Sequence, residues 1–199
     1  MRAVMALSGG MDSTALLIRL ISEGYGVTCI SYDYGQKHII ELEKAKQNLE
    51  YLSINGHDVS HRIVDLTQAM SLFHSALTRD ELDVPEGHYE ADQMKQTVVP
   101  NRNAIFASIL YGLAISESME HDSNVVVALG VHSGDHEIYP DCRPEFYTAL
   151  EKAFTIGNWS SENISFYLPY IRGNKQTILE DSAKNIDQLG LDFDTVFKN

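Results

Sequence analysis

One segment constrains this chain more than any other. Ser8-Gly9-Gly10-Met11-Asp12-Ser13-Thr14 lies between a short apolar run, Ala3 to Leu7, and an amphipathic one, Ser13 to Glu23, whose Leu16, Leu17, Leu20 and Ile21 share a face. A strand that passes into a helix through two successive glycines is the opening unit of a parallel sheet. Such sheets bind ligands outside the carboxyl ends of their strands. The glycines let the backbone approach an anion and adopt positive φ. Ser8, Ser13 and Thr14 add hydroxyls, and a helix starting near Asp12 or Ser13 offers unpaired N–H groups and the positive end of its dipole. Leu7 to Thr14 is therefore built as a phosphate cradle. No Gly-Lys-Ser/Thr follows, which excludes a Walker loop, and the missing third glycine excludes the dinucleotide fingerprint.

The remaining pattern continues the same architecture. Short apolar runs alternate with amphipathic ones, which predicts an α/β fold with a mostly parallel sheet and helices on both faces. Strands are expected at Val27 to Tyr32, His61 to Val64, Val125 to Leu129 and Ile164 to Leu168, the last stopped by Pro169. Helices are expected at His38 to Leu52, Asn103 to Met119, Glu145 to Phe154 and Asn174 to Leu189. Asn174 would cap the last of these and Gly190 would end it. Residues 71 to 99 lose the periodicity and hold Asp80, Glu81, Asp83, Glu86, Glu90 and Asp92 against Arg79 and Lys95. A connection this long is uncommon in a compact domain and usually functional, so we read it as a flap over the site. No linker divides the chain, and residues 1–199 are expected to form one domain.

Composition narrows the function classes. Fifteen Lys+Arg against 28 Asp+Glu give a formal charge of −13, which argues against a protein that grips a nucleic-acid backbone. A local basic pocket for a small anion is still compatible with it, and Lys37, Arg102, Arg143, Arg172 and Lys175 all lie in or beside candidate site segments. Two distant cysteines, Cys29 and Cys142, exclude a disulfide scaffold and a four-cysteine zinc site. Cys142 has no general base beside it in sequence and reads as a small packing residue. His57/His61 and His132/His136 have i,i+4 spacing but span Gly56 and Gly134, so no zinc is expected there. No apolar run reaches the roughly 20 residues of a membrane span, and no signal-peptide pattern opens the chain, so a reducing, cytoplasmic setting is expected.

Three further segments choose among known families. Ser31-Tyr32-Asp33-Tyr34-Gly35-Gln36-Lys37-His38 follows the second predicted strand, and Val99-Pro100-Asn101-Arg102-Asn103 opens the long helix. Gly130-Val131-His132 leads from the fourth strand to Tyr139-Pro140-Asp141-Cys142-Arg143-Pro144-Glu145-Phe146. The Ser-Gly-Gly-x-Asp-Ser loop resembles that of the N-type ATP pyrophosphatases, a superfamily with a Rossmann-like (adenine nucleotide alpha hydrolase-like) sheet. Taken with the later segments, Ser75-Ala76-Leu77-Thr78 and Pro169 to Lys175 included, it resembles the 7-cyano-7-deazaguanine synthase (QueC) family from Arg2 to about Leu191.

The resemblance implies a reaction and a set of roles. ATP would activate 7-carboxy-7-deazaguanine as an acyl-adenylate, ammonia would displace AMP to give the amide, and a second ATP would carry the amide to the nitrile. Leu7 to Thr14, Gly130 and Lys175 would hold the nucleotide, and Asp12 would help hold Mg²⁺. Asp12, Arg102, Arg143 and Lys175 would carry the chemistry. Tyr34, Gln36, His38, Arg102, Asn103, Tyr139, Asp141, Arg143 and Glu145 would bind the substrate. Arg102, Arg143 and Lys175 suit phosphates or the substrate carboxylate. Asp141 or Glu145 suits the amidine edge of the base, and Tyr34 or Tyr139 could stack on it.

Relatives of this kind continue into a zinc-binding cysteine cluster beyond the last helix. No zinc site is expected from the 199 residues here, and a homodimer would cover the end so exposed. Small-molecule partners are expected, with no nucleic acid and no membrane. The alternatives are a shortened relative that stops at 7-amido-7-deazaguanine or passes the activated carboxylate to another acceptor, and a non-catalytic nucleotide-binding module. A tRNA-modifying pyrophosphatase would call for a basic face that the charge opposes.

Overall fold

In the computed structural model, residues 1–35, 40–73, 98–132, 134 and 139–197 are described. Gln36, His38 and all but the margins of the expected flap lie outside them. Five strands form one sheet: β1 (Arg2–Ala6), β2 (Gly26–Asp33), β3 (Ser60–Asp65), β4 (Val125–Ala128) and β5 (Ile164–Tyr167). Their order is β3-β2-β1-β4-β5 and every pairing is parallel. β1 lies at the centre, with Val4 opposite Thr28 on one side and Val127 on the other. The chain builds outward from β1 in one direction, then crosses back and builds in the other. The switch point falls between β1 and β4, where a doubly wound sheet opens a crevice.

The strand sequences explain why both faces are covered. Ala3 and Met5 of β1 point into one apolar cluster, and Val4 between them points into the other. The first cluster is closed by α1 (Met11–Ser22), α2 (Ile40–Ile54), α6 (Lys175–Leu189) and α7 (Phe193–Phe197). The second is closed by α4 (Arg102–His121) and α5 (Pro144–Gly157). The expected fold class, a Rossmann-like α/β sheet with helices on both faces, is the one observed. A short helix, α3 (Thr67–Met70), follows β3.

The long elements fall where periodicity put them, and some ends are set by the named residues. Asn174 Oδ1 accepts from the Thr177 N–H at 3.0 Å and caps α6, and Gly190 closes it at φ +66°. α3, α7 and a 3-10 turn at Pro140–Cys142 were not expected. Each is too short for a 3.6-residue period to register in the pattern. Among the described residues no helix is long and apolar enough to cross a membrane.

One buried polar tie joins the strands to α4. Glu117 is 7% exposed; its Oε2 lies 2.7 Å from Arg2 Nε, and its Oε1 accepts from Thr28 Oγ1 at 2.7 Å. Removing the carboxylate would leave a buried hydroxyl and a half-buried guanidinium unpaired. Glu117→Ala should lower the unfolding free energy by about 2 kcal/mol, less than a fully buried pair because Arg2 reaches water. Urea denaturation of the two proteins measures this.

Candidate active site

The loop after β1 is held in shape by its own hydroxyls. The Ser8 N–H donates to Ser13 Oγ at 3.2 Å, and Ser13 Oγ donates to the Gly10 carbonyl at 3.1 Å. The Ser8 and Ser13 hydroxyls lie 3.0 Å apart, and the Gly10 N–H donates to Ser8 Oγ at 3.2 Å. These contacts close a ring across the turn. The serines thus fix the loop's conformation before any ligand arrives, a use the sequence did not reveal. α1 starts at Met11, so Asp12 sits in its first turn, where the helix dipole favours negative charge.

Gly9 answers a second constraint. It stands at φ +87°, and a Cβ there would run into the Glu41 carbonyl oxygen and lie 2.9 Å from the Ala45 nitrogen. The loop therefore rests on the backbone of α2, and only glycine permits both the φ and the approach. Gly130, just past β4, is similarly close to α1: a Cβ there would lie 3.0 Å from the Asp12 carbonyl oxygen.

These elements enclose a cavity of about 280 Å³ at the switch point. Leu7, Ser8, Asp12 and Ser13 line it from the loop side, with Gly130 beside them. Arg102 and Asn103 line it from the start of α4, and Tyr34 from the end of β2. Gly9, Met11 and Thr14, from the same loop, face a second cavity of about 330 Å³ that Tyr51 and Val196 also line. The cradle thus has two sides, and its expected ligand residues divide between them.

Aromatic packing supports the cavity wall. Tyr32 stacks on Phe106 at 4.0 Å between centroids, and Tyr34 meets the same ring at 5.5 Å, tilted. Tyr32 also donates its hydroxyl to the Phe106 carbonyl at 2.9 Å, and burial pushes its phenol well above the ordinary range. Arg102 lies one helical turn before Phe106 and so faces the same cavity. Asn101 precedes it in the left-handed region at φ +60°, a conformation Asn tolerates better than most residues. Burial works against the Arg102 charge, but Tyr34, Asp141, Tyr139 and Cys142 more than offset it and hold its pKa above the usual value.

Asn103 secures the far wall. Its N–H donates to Asp141 Oδ2, and its side-chain amide donates to the Asp141 carbonyl and to Cys142 Sγ, each at 3.4 Å. Cys142 is 4% exposed, in keeping with a packing role, yet it touches the cavity. Arg143 and Glu145 are exposed at the start of α5, and Lys175 is exposed at the first turn of α6. The described residues that line the cavity do not include these three. Glu41, Phe106 and Val131 do line it and were not expected. Glu41 could not have been found by motif, since only the fold of α2 onto the loop brings it there.

Asp12 carries the most informative local chemistry. Its Oδ2 lies 3.4 Å from Nε2 of His132, a side chain 2% exposed. Its Oδ1 is buried and has no hydrogen-bond partner among the described residues. Leaving such an oxygen unsatisfied costs about 1–3 kcal/mol, and a carboxylate oxygen in this state beside an anion cradle can take a divalent cation. Among the described residues no three His, Cys, Asp or Glu side chains cluster as a metal site. A cation here would draw its other oxygens from an anion and water.

Sheet order and switch point together define the class: a doubly wound, Rossmann-like α/β protein whose Gly-Gly turn between β1 and α1 lies at the crevice. The fold resembles a predicted subunit of a tRNA methyltransferase from Methanocaldococcus jannaschii, with a TM-score of 0.53 and 20% identity over 92% of this chain and 75% of that one. The family follows from sequence. The family model described as queuosine biosynthesis protein QueC matches residues 2–196. A 7-cyano-7-deazaguanine synthase of Methanoregula boonei is 44% identical over 193 residues, 97% of this chain and 82% of that protein. One from Caldicellulosiruptor saccharolyticus is 43% identical, over 97% of this chain and 79% of its own. The chain belongs to the QueC family of queuosine biosynthesis proteins.

The two glycine constraints separate in a simple comparison. Gly35 also has positive φ, +76°, but a Cβ there meets nothing within 4 Å. Gly35→Ala should cost about 1 kcal/mol, from backbone strain alone. Gly9→Ala must also displace the backbone of α2 and should cost about 3 kcal/mol or more. Denaturant midpoints of the two variants test the difference.

Proposed function

We propose that this protein makes 7-cyano-7-deazaguanine from 7-carboxy-7-deazaguanine, ammonia and ATP. The observation that carries the reading is an Asp12 oxygen with no hydrogen-bond partner among the described residues, beside a preformed Gly-Gly turn and across one cavity from Arg102. The 7-cyano-7-deazaguanine synthases to which the chain is similar support the same product.

The chemistry is two activations. A carboxylate is a poor electrophile because its leaving group would be an oxide. Attack of its oxygen on the α-phosphorus of ATP expels pyrophosphate and makes that oxygen the bridge of a mixed carboxylic–phosphoric anhydride, from which AMP can leave. Ammonia then adds at carbon, AMP leaves with the C–O bonding pair, and a proton is released to give the amide. The amide oxygen attacks a second ATP, again expelling pyrophosphate. Loss of AMP and the two amide protons leaves the carbon–nitrogen triple bond. No redox partner is required.

The protein's share is positioning and charge neutralisation. Ser8 to Thr14 would cradle the phosphates with backbone N–H groups whose geometry Ser8 and Ser13 already fix. Asp12 Oδ1 would hold Mg²⁺, which when bound would supply charge neutralisation at the phosphates. Arg102 would steady the substrate carboxylate or the α-phosphate, its charge kept on by the groups around it. Tyr34 would lie against the heterocycle, and Asp141 would accept from its amidine edge. Lys175 and Arg143 would reach the phosphates or substrate from the helix starts that carry them. We keep the amide as the alternative end point, since the same site would make it in the first half of the sequence.

Incubation with the carboxylate, ATP, Mg²⁺ and ammonium, followed by mass spectrometry, tests the reading. Nitrile is the expected product, with about two AMP released per molecule by the stoichiometry of two such activations. Amide as the sole product favours the alternative, and no AMP release overturns both. Asp12→Asn and Arg102→Ala should each lower kcat by roughly 10²–10³-fold, the range for removing one charge-stabilising group. AMP release under saturating substrate measures it.

A further inference from the structure

The segment after β4 meets α1 at two points. Gly130 lies against the Asp12 carbonyl, and His132 faces its carboxylate at 3.4 Å. The His132 ring is itself oriented from behind: the Gly134 N–H donates to Nδ1 at 3.0 Å. With Nδ1 accepting, the proton of the neutral ring is assigned to Nε2, the atom that faces Asp12 Oδ2. Gly134 must be glycine for this, because a Cβ there would lie 2.8 Å from His132 Cε1 and 3.0 Å from Nδ1.

We propose that His132 is a positioning residue, whose Nε2–H engages Asp12 Oδ2 so that Oδ1 faces the cation accompanying the nucleotide phosphates. The inference rests on the adenylation reading above. Two observations converge on it: one Asp12 oxygen lies 3.4 Å from a buried ring nitrogen, and the other is buried with no hydrogen-bond partner among the described residues. A neutral donor suits the task. It orients the carboxylate without cancelling its charge, whereas a lysine or arginine at this point would compete with the cation. Gly134 is not among the described residues that line the cavity, yet it orients the ring and so belongs to the same device.

Binding of Mn²⁺ with a non-hydrolysable ATP analogue, followed by loss of the free Mn²⁺ paramagnetic signal, tests the proposal without turnover. His132→Leu should weaken Mn²⁺–nucleotide binding about 10-fold, at the low end for removing a partner of a metal ligand. His132→Gln, which keeps a neutral N–H donor, should recover most of that loss. Gly134→Ala should behave like His132→Leu. Binding of the analogue in excess EDTA should be the same in all four proteins, which a collapsed cradle would not allow. Wild-type metal affinity in His132→Leu overturns the proposal, as does equal loss in the Leu and Gln variants. If the unaltered protein binds no Mn²⁺–nucleotide, the adenylation reading falls and this inference falls with it.

Discussion

The parallel pairing of β1 with both β2 and β4 is the interaction on which the rest depends. A central strand hydrogen-bonded on both sides has no free edge, and its residues past Arg2, Ala3 to Ala6, alternate between two cores and are all apolar. Its C-terminal end is then the one place where chain leaves the sheet between two crossover directions. Leu7 still donates to the Ile30 carbonyl at 2.9 Å, and its own carbonyl accepts from buried Ser31 Oγ at 2.6 Å. The cradle therefore begins on a fixed platform and cannot drift relative to β2. Everything placed around it, α2 beneath Gly9 and the β4 exit beside Asp12, is positioned against that platform.

A site made this way is rigid for reasons that are largely backbone. Two glycines, Gly9 and Gly130, are positions where another chain segment comes too near for a Cβ. The Ser8–Ser13 ring spends hydroxyls that could have reached a ligand on shape instead. In the reading proposed above, the backbone N–H groups at the start of α1 would be the anion donors, which would suit a ligand whose phosphates must be held in one orientation.

The sequence was most readable where local chemistry decides local structure. Asn174 and Gly190 mark the ends of α6 because a cap and a left-handed residue are required there whatever the tertiary context. The strand cores were readable because parallel strands are continuously apolar. The tight turn between β1 and α1 was readable because successive glycines between a strand and a helix mark a turn that needs positive φ or a close approach, as Gly9 does. Glu41, Phe106 and the engagement of Asp12 by His132 were not, since each is a contact between segments far apart in the chain that only the sheet order brings together. The Ser8–Ser13 ring was hidden differently. The same serines read equally well as ligand donors, and only coordinates distinguish a hydroxyl turned inward from one turned out. Short elements such as α7 escaped because an apolar pattern needs more than one turn to be seen.

Arg102 shows how an acidic protein can serve an anionic reaction. The formal charge of −13 would repel a polyphosphate at long range, but surface charges are screened over about 10 Å at ordinary salt. Within the cavity the balance is set by near neighbours. Arg102 is withdrawn from water, which alone would disfavour its charge, and Asp141, phenols and a thiol compensate. Its Nε donates to Asn103 Oδ1 at 3.3 Å. Asp12 faces a different partner, an imidazole with no full charge to give in the assigned tautomer. Among the described residues, the charges of Arg102 and Asp12 are therefore set against different neighbours, on two sides of one cavity, rather than against each other. The proposed reaction would need that separation, because a direct bridge would leave neither a carboxylate for a cation nor a guanidinium for an anion.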